Sequence, residues 1–225
     1  MRVTTKTFVL ALAALALMAG GAQARLTKGR PVQTGQTDSY GLGSDGDLQK
    51  GLSPMFSDQF NGVIKDQRTG LFWEKKSDDG SIHDRDNFFT WGQNVNPFSL
   101  MNGTMVTMFL ATLNTQPCFG GFCDWRIPNR KELETLIDLG AGVPSTFPAF
   151  NSGCTPGCSA YRVLPLLWNG CSCTVNASYW SSSTFQIDPS SAWQVYFTNG
   201  MSVFGDKTNS ALVRAVRGGT SCVIC

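Results

Sequence analysis

An eleven-residue apolar run, Phe8 to Met18, decides what the eight cysteines further along this chain can become. It follows a short positive stretch carrying Arg2 and Lys6 and precedes Gly20-Gly21-Ala22-Gln23-Ala24. That order of basic, apolar and small-residue segments is the pattern of an export signal cleaved after Ala24. The run is too short to span a bilayer, which takes roughly 20 apolar residues. The sequence therefore predicts a signal peptide over 1–24 and a mature domain that folds in an oxidising compartment: periplasm, cell surface or medium. There, cysteines become a disulfide framework.

Cleavage removes Arg2 and Lys6 but no acid, which cancels the formal +2 and leaves a neutral mature chain. A neutral chain with 15% charged residues lacks the electrostatic footprint of a nucleic-acid binder. Fifteen Phe and six Trp supply one sizeable core, while 24 Gly and ten Pro favour turns over long helices. With a single His, most histidine-based metal and triad chemistry is excluded.

Residues 25–57 are polar, rich in Gly, Ser and Thr, and read as an extended lead-in that drapes over the domain. From 58 to 218 the texture is that of a folded domain. Gly62 to Lys75 reads as strand, turn, strand, residues 76–87 as a charged loop, and Thr104 to Leu113 as one buried helix. Pro128 to Gly140 carries the clearest helix signals: Asn129 as cap, Glu132 completing a capping box, Leu133, Leu136 and Ile137 on one face, and Gly140 as a stop. A cysteine-rich insertion occupies about 150–178. Strands follow at Tyr179–Thr184, Ala192–Phe197, Met201–Phe204 and Leu212–Arg217. In the second of these Trp193, Val195 and Phe197 alternate with Gln194 and Tyr196. Residues 219–225 form a tail. The expected class is α+β, with two or so helices, a dominant antiparallel sheet and long disulfide-pinned loops.

Cys118 and Cys123 are expected to pair within their own loop. Cys171 and Cys173, too close to bond each other without strain, are expected to pair with Cys154 and Cys158 in either order. Cys222 and Cys225 form a C-x-x-C with nothing after it. It lacks the following helix that would depress a thiolate pKa, so a local or intermolecular disulfide is favoured over a redox enzyme. Four thiolates can hold zinc, but an oxidising compartment disfavours it.

Asp124-Trp125-Arg126 with Arg130 and Lys131 is the densest candidate ligand site. A sugar ring stacks on Trp125 while Arg126, Arg130 and Lys131 pair with sulfate or carboxylate. The competing reading buries Trp125 and pairs Arg126 with Asp124 or Glu132, and it is preferred for those two, since Trp is highly buried on average. Asp78, Asp79, Asp84 and Asp86 crowd one loop that could supply several calcium ligands. Their spacing does not fit an EF-hand and like charges in a polar loop are usually solvated, so no metal or cofactor is expected and calcium is the weaker reading. The carboxylates Glu74, Asp66, Glu134 and Asp138 show no spacing that pairs two across a cleft for glycoside hydrolysis. Ser181-Ser182-Ser183 lacks a nucleophile elbow.

Several runs together resemble one family. They are Gly62–Asp66 with Thr69–Lys75, including Trp73; Phe109–Asn114 leading to Phe122-Cys123-Asp124-Trp125-Arg126-Ile127-Pro128-Asn129 and Lys131-Glu132-Leu133; Tyr179-Trp180-Ser181-Ser182-Ser183; Ala192-Trp193; Asn199-Gly200; and Val213-Arg214-Ala215-Val216-Arg217. In this order they are similar to the C-terminal domain of the Legionella collagen-like adhesin, itself similar to the C-type-lectin-like fold group. The resemblance implies an exported bacterial domain in which Trp73, Asp124, Trp125, Arg126, Pro128, Glu132, Leu133, Trp180, Ser181, Ser182, Trp193, Arg214 and Arg217 are mainly structural. It further implies a non-catalytic binding or adhesion module for a surface glycan, an adhesin member of the family binding sulfated glycans. No Gly-X-Y stalk is present here. The competing classes are a cysteine-dependent or glycan-modifying enzyme and a structural envelope protein. Oligomeric state is left open.

Overall fold

The hairpin read at 62–75 owes its turn to one aspartate. Asp66 Oδ1 accepts from the Arg68 and Thr69 amides, Oδ2 accepts from the Thr69 hydroxyl at 2.6 Å, and Gly70 takes the left-handed conformation at φ +74°. A short side chain that bonds its own backbone and a glycine free to adopt positive φ are what such a turn needs. The computed structural model describes residues 31–93, 100–161 and 170–218. The expected signal segment, the first residues of the lead-in, part of the cysteine-rich insertion and the Cys222–Cys225 tail lie outside the described residues.

After a one-turn helix α1 (Asp45–Leu48), the strands are β1 (Phe56–Asp58), β2 (Val63–Asp66), β3 (Leu71–Glu74) and β4 (Phe88–Thr90). A π-helical segment, Met105–Leu110, then runs into α2 (Ala111–Asn114), and α3 is Arg130–Glu134. The chain closes with β5 (Ser178–Thr184), β6 (Ser191–Tyr196), β7 (Met201–Asp206), β8 (Ser210–Leu212) and β9 (Val216–Gly218). The class is α+β. The strands divide into two sheets ordered β1-β2-β3-β9 and β4-β8-β5-β6-β7. All pairings are antiparallel except β5 with β8, so the larger sheet is mixed.

The last strand, expected as one run over Leu212–Arg217, is two. β8 ends in the larger sheet and β9 begins in the smaller, with Val213-Arg214-Ala215 crossing between them. Successive residues here feed opposite cores. Ala211, Val213 and Ala215 pack with Trp180, Trp125 and Phe109; Leu212 and Val216 pack with Trp73, Phe150 and Phe197. An alternating apolar run looks the same whether or not the chain changes sheets midway.

Arg214 sits at that crossing with none of its side chain exposed. It donates to the carbonyls of Glu74 (2.7 Å) and Cys173 (2.6 Å) and to Thr174 Oγ1 (2.8 Å), and its guanidinium lies 5.3 Å from the Phe150 ring centroid. It thus ties the end of β3, the cysteine-rich loop and the junction of the two sheets.

The expected buried helix at 104–113 is only half-buried: Met105, Phe109 and Leu113 face the core while Thr107, Met108, Ala111 and Thr112 are exposed. The expected long helix at 128–140 ends after Glu134. The next bonds run Leu136 N–H to Leu133 O and Ile137 N–H to Glu134 O, tighter turns that still bury Leu133, Leu136 and Ile137. Gly140 does not cap this helix. Any Cβ there would lie 2.2 Å from the Gly35 carbonyl, so the glycine lets the lead-in pass, and Leu139 N–H donates to Thr34 O nearby. The disulfides among the described residues are Cys118–Cys123, Cys154–Cys173 and Cys158–Cys171, one of the two expected orders for the insertion.

Replacing Arg214 by Leu leaves the Glu74 and Cys173 carbonyls and the Thr174 hydroxyl buried without this donor. The variant is expected to lose about 3–5 kcal/mol in urea unfolding with disulfides intact.

Candidate functional site

The first turn of α3 is fixed by a clamp legible residue by residue. Asn129 Oδ1 accepts from the Glu132 amide (2.9 Å) while Glu132 Oε2 accepts from the Asn129 amide (2.8 Å), a reciprocal capping box. The same carboxylate takes two parallel bonds from Arg126, Nη1 to Oε2 at 2.8 Å and Nη2 to Oε1 at 2.7 Å. Burial opposes the Glu132 charge, but Arg126 and the Asn129 amide outweigh it and hold the carboxyl below its ordinary value. Arg126 in turn exchanges backbone bonds with Val216 of β9 and donates to the Gly218 carbonyl. Ser182 N–H to Pro128 O and Arg130 N–H to Ser183 Oγ dock the helix start on β5.

This anchoring sets Asn129, Arg130 and Lys131 along one side of an open 440 Å³ cleft whose other side is Ser183, Thr184 and Trp193. The Arg130 guanidinium lies 4.5 Å from the Trp193 ring centroid and its Nε 3.2 Å from Glu134 Oε1. Lys131 is exposed and makes no ion pair among the described residues. Behind Thr184, the buried Lys207 donates to its hydroxyl at 3.0 Å and packs 3.9 Å from the Trp91 centroid. The aromatic wall continues beyond Trp193: Phe185 meets it edge-on at 5.2 Å and stacks on Phe204, which is exposed. Trp193 is only partly buried, unlike Val195 in the same strand and Phe197 just after it. An indole wall, two cations and two hydroxyls in one shallow cleft can hold a polyhydroxylated ring bearing anionic groups.

Trp125 stands elsewhere. It is 3% exposed, donates its indole N–H to Phe119 O, and packs in the core, so its ring offers no face to a sugar. Arg126 is spent on Glu132, and Asp124 on Arg217 at 2.6 Å. Of the four expected ligand residues, only Arg130 and Lys131 line the cleft, and the aromatic beside them is Trp193. Trp73, Trp180, Pro128, Leu133 and Ser181 are buried; Trp180 donates to Phe89 O and Ser181 Oγ to Trp193 O.

In the acidic loop, Asp78, Asp84 and Asp86 each bring an oxygen within 4.8 Å of the others. Asp79 turns instead to Ser77 and Ser81. Arg85 lies 3.2 Å from Asp78 and 3.5 Å from Asp86, supplying the positive charge locally. Calcium takes six to eight oxygens, so beyond these three carboxylates it would draw on carbonyls or water.

A second cluster has no periodic signal in the sequence. Glu74, fully buried, accepts from the Ala215 amide and meets His83 Nδ1 at 2.8 Å and Lys76 Nζ at 3.4 Å. His83 stacks on Phe119, and its Nε2 lies 3.3 Å from the Tyr161 hydroxyl at the surface. Burial works to raise the Glu74 carboxyl, yet Lys76, His83 and the Ala215 amide hold it below its ordinary value. Burial lowers Lys76 against the pull of Glu74; burial, then Glu74 and Asp79, raise Tyr161. His83 falls in a run of charged residues that reads as solvated loop, and only the fold brings Glu74 beside it.

Glu132→Gln is expected to lower stability by about 1–2 kcal/mol at pH 7, through loss of the charged cap and clamp. Because the folded carboxyl lies below the ordinary glutamate value of 4.5, the clamp contributes fully above that pH. Its contribution is lost as the pH falls through the depressed folded value. Urea midpoints of parent and variant therefore converge on acidification.

The family model described as the Lcl C-terminal domain matches residues 62–217, most of the chain and all of the architecture around the cleft. No curated protein and no solved structure matches the chain.

Proposed function

From the premise that this chain belongs to the Lcl C-terminal domain family, we propose that it is an exported, non-catalytic adhesion module recognising a surface glycan in the Trp193–Arg130–Lys131 cleft. The cleft itself carries this reading. Sugar rings present an apolar C–H face to an indole and hydroxyls to groups such as Ser183, Thr184 and Asn129, while Arg and Lys take sulfate or carboxylate substituents. The cleft is open, as suits a polymer that binds without being enclosed. We read the two sheets with their long, disulfide-pinned loops as a C-type-lectin-like arrangement. The disulfides and the absence of a membrane-spanning helix among the described residues accord with export.

A glycan-modifying enzyme is less favoured because each carboxylate weighed for it is engaged. Glu74 is enclosed with His83 and Lys76, Asp66 holds the β2–β3 turn, Glu134 pairs with Arg130 and Ser202, and Asp138 accepts from the Gly140 and Ala141 amides.

On an array of neutral, carboxylated and sulfated glycans, the mature protein is expected to bind anionic members. Trp193→Ala and the Arg130→Ala/Lys131→Ala pair each weaken binding by about tenfold or more. Unchanged binding by both variants would rule out the cleft as the binding site.

A further inference from the structure

The four cysteines of the insertion lie closer than two independent disulfides require. Across the Cys154–Cys173 and Cys158–Cys171 bonds, Cys158 Sγ is 3.6 Å from Cys173 Sγ. Cys158, Cys171 and Cys173 are buried and, with the half-buried Cys154, form a small cluster apart from the two main cores. The cluster is bordered on two sides. A 260 Å³ cleft walled by Gly153, Gly157 and Gly170 has Cys158 and Cys171 in its lining. Away from that lining, Arg85 Nη1 is 3.1 Å from Cys154 Sγ, a cationic donor placed on a sulfur that carries no charge while it is bonded.

We propose that this cluster is a thiol-exchange site for an aliphatic monothiol, running from the cleft to Arg85. A thiolate in the cleft attacks Cys171 Sγ, forming a mixed disulfide; the Cys158–Cys171 bond breaks and its electron pair leaves on Cys158. The Cys158 thiolate, already facing Cys173, attacks that sulfur and forms Cys158–Cys173. The Cys154–Cys173 bond breaks, and its electron pair leaves on Cys154, where the Arg85 guanidinium meets the charge. One thiolate is consumed and one appears, so the exchange needs neither oxidant nor reductant. A cation beside the final leaving sulfur gives the relay its direction, since exchange runs faster toward the thiol of lower pKa. Asp78 and Asp86 hold Arg85 in place from its other nitrogens.

The test treats the folded, disulfide-intact protein with reduced glutathione near neutral pH, quenches with acid, alkylates, and maps the peptides by mass spectrometry. The expected products are glutathione on Cys171, an alkylated Cys154 and a Cys158–Cys173 cross-link. Recovery of Cys154–Cys171 together with Cys158–Cys173 also supports the relay, carried to closure with release of glutathione. Glutathione on Cys171 with an alkylated Cys158 and an intact Cys154–Cys173 would overturn it, as would failure of the cluster to react at all. Arg85→Ala is expected to slow the appearance of alkylated Cys154 about tenfold, with part of the rate regained in Arg85→Lys. Equal rates in parent and Arg85→Ala would overturn the role given to Arg85.

Discussion

A single buried guanidinium holds the two sheets together. Arg214 lies where the chain leaves β8 for β9, and its three hydrogen bonds reach the Glu74 carbonyl at the end of β3 and, in the cysteine-rich loop, the Cys173 carbonyl and the Thr174 hydroxyl. A buried cation is costly unless it is hydrogen-bonded and an opposite charge lies near. Here the surrounding acceptors and the buried Glu74, whose carboxylate bonds the Ala215 amide next along the chain, offset that cost. An apolar side chain at this position would fill space but bond nothing. The arginine specifies where the strand must change sheets.

The influence of that seam extends to the surface. Once β9 is placed, its Val216 exchanges backbone bonds with Arg126, and its last carbonyl, Gly218 O, accepts from the Arg126 side chain. Arg126 then holds Glu132, Glu132 completes the cap of α3, and the first turn of α3 presents Arg130 and Lys131 to Trp193 on β6. The residues of the charged motif at 124–133 are therefore mostly scaffold. Their role is to carry two cations to an indole contributed by a strand some 60 residues later in the chain.

The local devices are legible in the sequence and the long-range ones are not. Asn129 and Glu132 announce their cap by spacing alone, and the cysteines too close to bond each other narrow the insertion to two pairing orders, between which only the fold decides. Leu133, Leu136 and Ile137 are buried as their periodicity predicts. Trp193 shows the failure: strict alternation groups it with Val195 and Phe197, but β5 and β6 shift register between Trp180 and Thr184, and Trp193 is left partly open beside Arg130. Trp125, inside the charged motif, turns inward as the reading preferred for it from residue type expects, and is not among the misses. His83 is hidden by its neighbours, since a charged loop gives no sign that one of its members will be enclosed by Glu74, Phe119 and Tyr161. Each miss comes from a contact between segments distant in the chain, which no window of sequence contains.

The most direct measurement is a titration of the ¹⁵N-labelled mature protein with a sulfated oligosaccharide, following the tryptophan indole N–H signals. The Trp193 indole is expected to shift progressively and saturate while those of the buried Trp125 and Trp180 stay in place. A saturating shift at Trp125 with Trp193 unmoved would contradict a glycan site in the Trp193 cleft.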